Sequence, residues 1–365
     1  MPDLPPRIKK LQEMLSYWKV NGLLVTDPID LLYLTSLEMT AGKLFVSKEK
    51  AVFVVDGRYL EKCKRHSTIP TFLDTQENLF DLLTKKDLKT ITQLGFDSNA
   101  TSYKQFEQLQ TFFQTVQGKK IRLVPLANPL HELRMIKDSS EQQKIKAACT
   151  LVSRSLEHII PRLKAGITEE EIAKTLQIFW LQHGGDGAAF DPIIAFGKNS
   201  AMPHYRHGKV PLKEGDIVLI DIGAMVDHYC SDMTRVFFYK KAPPKLQEIA
   251  HIVQKAQEAA IAQCKPKVTT RQLDTIARDV ITKAGYGEYF VHGLGHGLGL
   301  EIHESPYLKK ELSYPDVPLQ AGMVITIEPG IYIPDLGGVR IEDTILVKEL
   351  GCENLIPLSR APIVL

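Results

Sequence analysis

The sequence predicts two domains, an α/β domain over residues 1–128 and an α+β domain over residues 129–365 whose two halves are related by a pseudo-twofold axis. Three observations favour this fold class. The chain has 365 residues, more than one average domain. Helix and strand patterns alternate in its first third, and two segments of the remainder resemble each other.

The first domain is predicted from alternating periodicities. A helical pattern near residues 5–20 precedes apolar runs at Leu23–Val25 and 31–34. Further patterns follow in order: a strand at Ala51–Val55, helices from about Tyr59 and over 78–84, a strand near 92–96, and a helix near 104–114. Pro125 and Pro129 interrupt the pattern, and a long helix is predicted after Asp138. We therefore place the domain boundary after Asn128.

The second domain contains two similar segments, "LKAGITEEEIAKTLQIFWLQHGG" from Leu163 and "CKPKVTTRQLDTIARDVITKAGYG" from Cys264. In each, Ile or Val precedes a Thr, and a helical pattern then runs to a glycine. Each Thr has a Glu or Gln three residues later, which is the spacing of a capping box: Thr168 with Glu171, and Thr269 with Gln272. The two segments predict two copies of one α+β unit that face each other.

Composition excludes several classes of protein. Lys and Arg total 45 against 43 Asp and Glu, a net charge of +2, so neither a nucleic acid nor an anionic membrane is an expected partner. No apolar run approaches about 18 residues, and the N-terminus lacks a signal-peptide pattern. The five cysteines are scattered, without a CxxC pair, which predicts buried free thiols. We expect a cytoplasmic protein.

Two aspartates interrupt a predicted hairpin, "DIVLIDIGAMVDHYCSDMTRVFFY", over residues 216–239. A turn centred on Asp227–His228 places Asp221 opposite Thr234, and it puts Asp232 on the same face as Asp221. A buried carboxylate is costly unless it is paired or bound to a metal. Two metal ions about 3.5–4 Å apart could bridge such a pair. The alternative for either aspartate alone is a turn residue or a helix cap.

Two later strands carry further charged residues. Glu328 ends an apolar strand in "ITIEPGIYI", and no basic residue lies near it in the sequence. In "GVRIEDTILV", Arg340 and Glu342 alternate with apolar residues, so both point to the same side of a strand. Glu342 could therefore be a metal ligand or the partner of Arg340 in an ion pair.

Three of the eleven histidines lie in "FVHGLGHGLGLEIHESP", residues 290–306, among four glycines. His292 and His296 have the spacing of one helical face, but the glycines disfavour a helix. Glycine lets a backbone approach a ligand closely, so we expect this segment to present an imidazole to a metal or a substrate. For any one of the three, including His303, the alternative is a hydrogen-bonded core histidine.

The candidate ligand set contains four carboxylates and one imidazole: Asp221, Asp232, His296, Glu328 and Glu342. Oxygen-rich ligation with one nitrogen favours Mn²⁺, with Co²⁺ or Zn²⁺ as alternatives. The four negative charges balance two divalent ions, so two such ions are the expected cofactors.

At these residues the sequence resembles the metallopeptidase family with the pita-bread fold, and within it the Xaa-Pro branch of aminopeptidases P and prolidases. The resemblance covers nearly the whole chain. It is carried, in the family's order, by "LRMIKDSSEQQKIKAA", "DIGA", "SDMTR", "HGLGHGLGLEIHE", "IEPGIY" and "VRIED". The first domain then corresponds to the N-terminal domain of creatinases and prolidases, and the second to the catalytic domain.

The resemblance also implies roles for the ligand residues. Asp221 would bind one metal ion, Asp232 and Glu342 would bridge both, and His296 with Glu328 would bind the other. Glu328 would also carry the proton to the leaving nitrogen. The family commonly has glycine in the hairpin turn where this chain has Asp227–His228.

Further residues of the substrate pocket follow from the same resemblance. His303 would hydrogen bond the developing oxyanion or the scissile amide, with His204 and His292 near the proline. Arg340 would support Glu342 and hold the far end of the substrate. His207 is the alternative to His204, which we prefer because "MPH" matches the family pattern.

The implied activity is metal-dependent hydrolysis of the bond before proline in short peptides, releasing the N-terminal residue, by a homodimer. A dipeptidase acting on Xaa-Pro alone is the alternative. Methionine aminopeptidases lack a comparable N-terminal domain, and creatinase-like enzymes lack the metal ligands. A non-catalytic binding protein on this scaffold is disfavoured by the complete ligand set.

Overall fold

In a computed structural model, which describes residues 4–115 and 120–365, the chain forms two compact units, Met1–Arg134 and Met135–Leu365. The predicted fold class, α/β followed by α+β, is confirmed. The units divide after Arg134, whereas the proline pattern placed the boundary after Asn128. Residues just beyond Pro129 still belong to the first unit because the buried Arg134 guanidinium pairs with Asp30 at 3.0 Å.

The first unit is a six-stranded sheet with helices. Its helices are α1 (Pro6–Met14), α2 (Pro28–Thr35), α3 (Leu60–His66), α4 (Gln76–Thr84) and α5 (Tyr103–Thr115). Its strands are β1 (Gly22–Val25), β2 (Lys43–Ser47), β3 (Ala51–Val55), β4 (Thr71–Leu73), β5 (Gln93–Asp97) and β6 (Arg122–Leu126). The strand order is β4-β3-β2-β1-β5-β6, and β2 runs antiparallel to both neighbours. A short helix, α6 (His131–Met135), leads into the second unit.

The second unit has four long helices and small sheets. The helices are α7 (Ser139–Ile159), α8 (Glu169–Gln182), α9 (Pro244–Gln263) and α10 (Thr270–Lys283). The strands of its first half are β7 (Gly187–Ala188), β8 (Ile193–Phe196), β9 (Ile217–Ile222), β10 (Ala224–Val226), β11 (Tyr229–Cys230) and β12 (Met233–Phe238). Those of the second half are β13 (Gly295–Gly297), β14 (Glu304–Leu308), β15 (Val324–Ile327), β16 (Gly330–Ile333), β17 (Gly337–Arg340), β18 (Asp343–Lys348), β19 (Gly351–Asn354) and β20 (Ile363–Val364).

Two of these sheets position the candidate site. The first has the strand order β20-β12-β9-β8, and the second has the order β14-β13-β15-β18-β19. Helices α9 and α10 pack on their inner strands through one apolar core that includes Leu219, Val253, Ile281 and Ile325, all nearly inaccessible to solvent. This tightly packed core supports the sheets that contain β9, β12, β13 and β15. The ends of these four strands carry residues of the candidate site.

The predicted internal repeat is visible in how α8 and α10 begin. Thr168 and Thr269 both form capping boxes, as their spacing predicts. Each threonine also forms an isolated bridge to a proline, Pro211 and Pro318 respectively. Both prolines lie in a "VPL" segment that leads into an inner strand, β9 in the first half and β15 in the second. The two halves thus share the capped helix start and the proline-containing segment that leads into an inner strand.

No helix among the described residues is long and apolar enough to cross a membrane. The five cysteines are free thiols, as predicted, and four of them are buried.

Candidate metal centre

The hairpin that carries the two aspartates has the predicted register. Val226 pairs with Tyr229 across the turn, and Asp221 pairs with Thr234 between β9 and β12. Asp227 and His228 both adopt left-handed backbone angles, with φ of 47° and 69°, so the turn forms without glycine. The sequence did not indicate that β10 and β11 leave this sheet and join β7 in another one.

The predicted ligands converge in the second unit. Asp232, His296 and Glu342 offer ligand atoms that all lie within 4.8 Å of one another, and all three residues are buried. His296 Nε2 lies 3.6 Å from Asp232 Oδ2 and 3.5 Å from Glu328 Oε1. Asp221 joins the group through its electrostatic influence on Asp232. Four carboxylates and one imidazole therefore share one buried centre.

The glycines around His296 serve the neighbouring strands. An added Cβ on Gly295 would lie 2.2 Å from the Thr326 carbonyl oxygen, and one on Gly297 would lie 2.3 Å from that of Ser305. Strand β13 thus lies so close to the backbones of β14 and β15 that a residue with a Cβ would clash at these two positions, so glycine is required. The prediction that this segment is not helical is confirmed. Our expectation that the bare backbone lines a ligand pocket agrees with Gly293 and Gly295, which line the cavity described below, whereas Gly297 does not line it.

Hydrogen bonding prepares His296 to act as a ligand. Its Nδ1 lies 3.0 Å from the Gly297 carbonyl oxygen, which accepts the ring proton and leaves the Nε2 lone pair facing the carboxylates. Burial lowers the pKa of His296 to about 3, so the ring is neutral at pH 7.

The four carboxylates lie close enough to repel one another, and for Asp232, Glu328 and Glu342 this repulsion adds to the effect of burial on the pKa. Burial, and then the charge of Glu342, raises the pKa of Asp232 well above its usual value. Burial, and then Glu328, does the same for Glu342. Burial raises the pKa of Glu328 to about 8. Among the described residues, the buried oxygens Asp221 Oδ1 and Asp232 Oδ1 have no hydrogen-bond partner. Carboxylates without enough donors, beside a free imidazole lone pair, are the donor set that divalent cations require.

Arg340 contacts a different carboxylate from the one we predicted. Its Nη2 donates to Asp221 Oδ2 at 2.5 Å, and its Nε donates to Thr234 Oγ1 at 3.1 Å. The Thr234 hydroxyl donates to Glu342 Oε2 at 2.6 Å. Arg340 therefore supports Glu342 through Thr234 and through its charge, which opposes the rise in the pKa of Glu342. The prediction that Arg340 and Glu342 share one face of one strand is wrong, because β17 ends at Arg340 and β18 begins after Glu342 in another sheet.

Tyr332 is a site residue that the sequence analysis missed. Its hydroxyl accepts from Arg340 Nη1 at 2.6 Å and lies 2.9 Å from His292 Nε2. Its proton is therefore donated to His292 Nε2, and His292 Nδ1 donates its own proton to the Gly293 carbonyl oxygen, 2.7 Å away. Burial lowers the pKa of His292 to about 3. The phenol belongs to "IEPGIYI", four residues after Glu328. This closeness in sequence to a predicted ligand could have identified Tyr332 as a candidate site residue.

A cavity of about 800 Å³ opens onto the centre. All nine predicted site residues line it, namely His204, Asp221, Asp232, His292, His296, His303, Glu328, Arg340 and Glu342. The His303 ring lies 4.3 Å from that of His296, and burial lowers its pKa. His207 instead lies 2.8 Å from the Pro192 carbonyl oxygen and does not line the cavity.

Comparison with protein families gives two matches that together cover most of the chain. Residues 143–349 match the model of Metallopeptidase family M24, and residues 7–136 match the Creatinase/Prolidase N-terminal domain. A curated relative, Xaa-Pro dipeptidase of Pyrococcus furiosus, is 35% identical over 356 residues, which cover 97% of this chain and 98% of that protein.

Solved structures of other proteins are similar to this chain over 98% of its length. Xaa-Pro dipeptidase from Bacillus anthracis superimposes with a TM-score of 0.92 at 33% identity, covering 98% of this chain and 99% of that one. X-Pro aminopeptidase from Thermotoga maritima gives a TM-score of 0.87 at 31% identity, covering 98% of this chain and 100% of that one.

Proposed function

Because the chain belongs to metallopeptidase family M24 and is a metallo-exopeptidase, we propose that it hydrolyses the peptide bond before proline, with Xaa-Pro dipeptides as its substrates. One observation carries the proposal. Four carboxylates, two of which each have a buried oxygen without a hydrogen-bond partner, and a neutral imidazole face a cavity lined by three further histidines.

We propose that two divalent ions, Mn²⁺ in the first instance, occupy this centre. Asp221 would hold one ion, His296 and Glu328 the other, and Asp232 with Glu342 both. Bound there, the ions would polarise the scissile carbonyl and acidify the attacking water. Thr234 and Arg340 would keep the carboxylates in place, since each donates hydrogen bonds within the set.

Glu328 is the proposed proton carrier. A proline nitrogen in a peptide bond has no hydrogen, so cleavage requires a proton to be delivered to it. The Glu328 side chain is 17% exposed, against 6% for Asp232, so its carboxylate can reach the leaving nitrogen from the cavity wall.

The three cavity histidines have distinct proposed roles. His303 is exposed to the cavity and neutral at pH 7, so a ring N–H can donate to the substrate carbonyl oxygen. His204 is also exposed to the cavity. Both ring nitrogens of His292 already have protein partners, so His292 would contact the proline with its ring surface.

An Xaa-Pro aminopeptidase that also accepts longer peptides is the second candidate, and the Thermotoga maritima structure favours it. The test compares an Xaa-Pro dipeptide, the matching Xaa-Pro-Xaa tripeptide and an Xaa-Ala dipeptide under Mn²⁺. We expect hydrolysis of the first alone. Equal kcat/KM on the tripeptide would make the protein an aminopeptidase. Hydrolysis of neither proline peptide would reject the proposed function.

We also propose a cytoplasmic homodimer. The free thiols suit a reducing compartment, and the family resemblance supports the dimer. Sedimentation equilibrium of the purified protein tests the dimer, since a mass near 41.0 kDa would indicate a monomer.

A further inference from the structure

A buried carboxylate lies at the start of helix α8, outside the metal centre. Glu169 is the first residue of this helix and is inaccessible to solvent. Its Oε1 accepts from the Phe196 amide and from Asn199 Nδ2, both at 2.9 Å. Its Oε2 accepts from the Tyr205 hydroxyl at 2.9 Å and from the Gly208 amide at 3.0 Å. All four donors belong to one segment, residues 196–208, which we name the His204 loop.

The His204 loop forms one wall of the cavity. Four consecutive residues line it, Pro203, His204, Tyr205 and Arg206. The loop also meets strand β17, where the Gly338 amide donates to Ser200 Oγ at 2.8 Å. The Glu169 carboxylate holds the loop on both sides of His204 along the chain, because two of its donors precede His204 and two follow it.

The second half of the unit has no carboxylate at the position of Glu169. Thr270 occupies that position there, directly after the capping threonine. The backbone bonds correspond, because the Glu169 amide donates to Val210 O and the Thr270 amide to Val317 O.

The start of α10 takes its carboxylate from another residue, since Asp316 Oδ1 accepts from the Arg271 amide at 3.0 Å. Glu169 differs in its donors, all four of which belong to the loop that carries His204.

The segment that carries His292 is held by a different pair. Asp274 is fully buried and accepts from the Leu294 amide at 3.0 Å, while Arg278 donates to the His292 carbonyl oxygen at 2.7 Å. Each half therefore uses a buried acid on its helix to fix a histidine-bearing segment, at different positions and with different partners. A general requirement of the repeat does not explain such an arrangement.

We propose that Glu169 is a positioning residue that fixes the His204 loop and thereby places His204 against the bound peptide. The inference rests on the proposed function in one respect, that His204 contacts the substrate. A buried carboxylate is tolerated only while its donors satisfy it. Burial and the Glu169 charge raise the pKa of Tyr205 to about 12, so its hydroxyl keeps donating over the working pH range.

A double-mutant cycle with His204 tests the proposal. In Glu169→Gln, the amide nitrogen cannot accept from two of the four donors, and we expect kcat/KM for an Xaa-Pro dipeptide to fall about tenfold. In the His204→Ala background the same substitution should cost less than about twofold, because the group that it positions is absent. Glu170→Gln, which removes a partly exposed carboxylate paired with Lys174, is the matched control and should leave kcat/KM unchanged. An equal loss in both backgrounds would overturn the proposal.

Amide hydrogen exchange provides a readout that is independent of catalysis. Glu169→Gln should accelerate exchange in peptides covering residues 196–208, with unchanged metal content, whereas Glu170→Gln should not. Unchanged exchange would overturn the proposal even if activity fell. Wild-type protein that cleaves no proline peptide would reject the proposed function, while the exchange result would still decide whether Glu169 holds the loop.

Tyr205→Phe covers the case in which Glu169→Gln does not fold. It removes one donor and keeps the ring in place. We expect faster exchange over residues 196–208 and a loss of kcat/KM of about threefold that disappears in the His204→Ala background. A loss that persists there would count against the proposal.

Discussion

The Arg340 guanidinium lies 2.5 Å from the Asp221 carboxylate, and its other arm donates to the Tyr332 hydroxyl at 2.6 Å. The Tyr332 hydroxyl in turn donates a hydrogen bond to His292. A single chain of hydrogen bonds thus connects a proposed metal ligand with a proposed substrate contact. Asp221, Arg340 and Tyr332 are buried, so removing one of them would deprive its neighbour of a hydrogen bond that water cannot easily replace.

Tyr332→Phe should lower kcat/KM about tenfold, because a buried hydrogen bond to a charged group contributes about 1.5–3 kcal/mol. Metal content should not change, since Arg340 still holds Asp221. Steady-state kinetics and metal analysis measure the two effects. Tyr239→Phe is the control, as its hydroxyl accepts from the Ala165 amide at 2.9 Å, in a partly buried contact. A Tyr332→Phe enzyme with wild-type kcat/KM would exclude this chain from catalysis.

His303→Ala should reduce kcat by about 100-fold or more, the usual contribution of a proton-transferring or donating group. Bound metal should remain, because His296 supplies the nitrogen ligand. Turnover and metal content should be measured on the same preparation. Loss of metal with His303→Ala would mean that the roles of His296 and His303 are reversed.

Metal binding should release protons at pH 7. Burial and mutual repulsion raise the pKa of Asp232, Glu342 and Glu328 in the metal-free protein, that of Glu328 to about 8. A raised carboxyl pKa means that protons are retained below it, and the ions must displace them. Affinity for Mn²⁺ should therefore rise with pH through the titration of Glu328 near pH 8. Calorimetric titrations in buffers of different ionisation enthalpy count the protons. Zero release at pH 7 would contradict this view of the centre.

Lys137→Met should destabilise the second unit by about 3–5 kcal/mol, the usual effect of breaking a buried ion pair. Lys137 Nζ lies 2.6 Å from Glu304 Oε1, and their side chains are 1% and 3% exposed. Lys146→Met is the control, because its pair with Glu353 is 60% and 35% exposed and should contribute less than about 1 kcal/mol. Urea unfolding measures both. Equal effects would show that the buried pair has no special role.

The sequence predicted those features that local rules determine. A two-residue turn fixes strand register, so the pairing of Asp221 with Thr234 followed from the position of Asp227–His228. Capping boxes are similarly local, and both were found at Thr168 and Thr269. The nine site residues could be chosen because several ordered motifs carried them, and the structure brings all nine to one cavity.

Long-range side-chain partners could not be predicted. Strand periodicity gives the face on which Arg340 lies, but the choice between Asp221 and Glu342 depends on the packing of β9 against β17. The packing role of the glycines in the histidine segment could not be predicted, because a sequence does not reveal that a Cβ on Gly295 would lie 2.2 Å from the Thr326 carbonyl oxygen. Glu169 gave no signal, since it reads as an ordinary acidic residue in the first turn of a helix.

The central claim is that the five ligand residues hold two divalent ions together. Anomalous diffraction from crystals grown in saturating Mn²⁺ tests it most directly. We predict two peaks about 3.5–4 Å apart, with Asp232 and Glu342 in contact with both and His296 in contact with one. A single peak, or none between Asp232 and His296, would contradict the account.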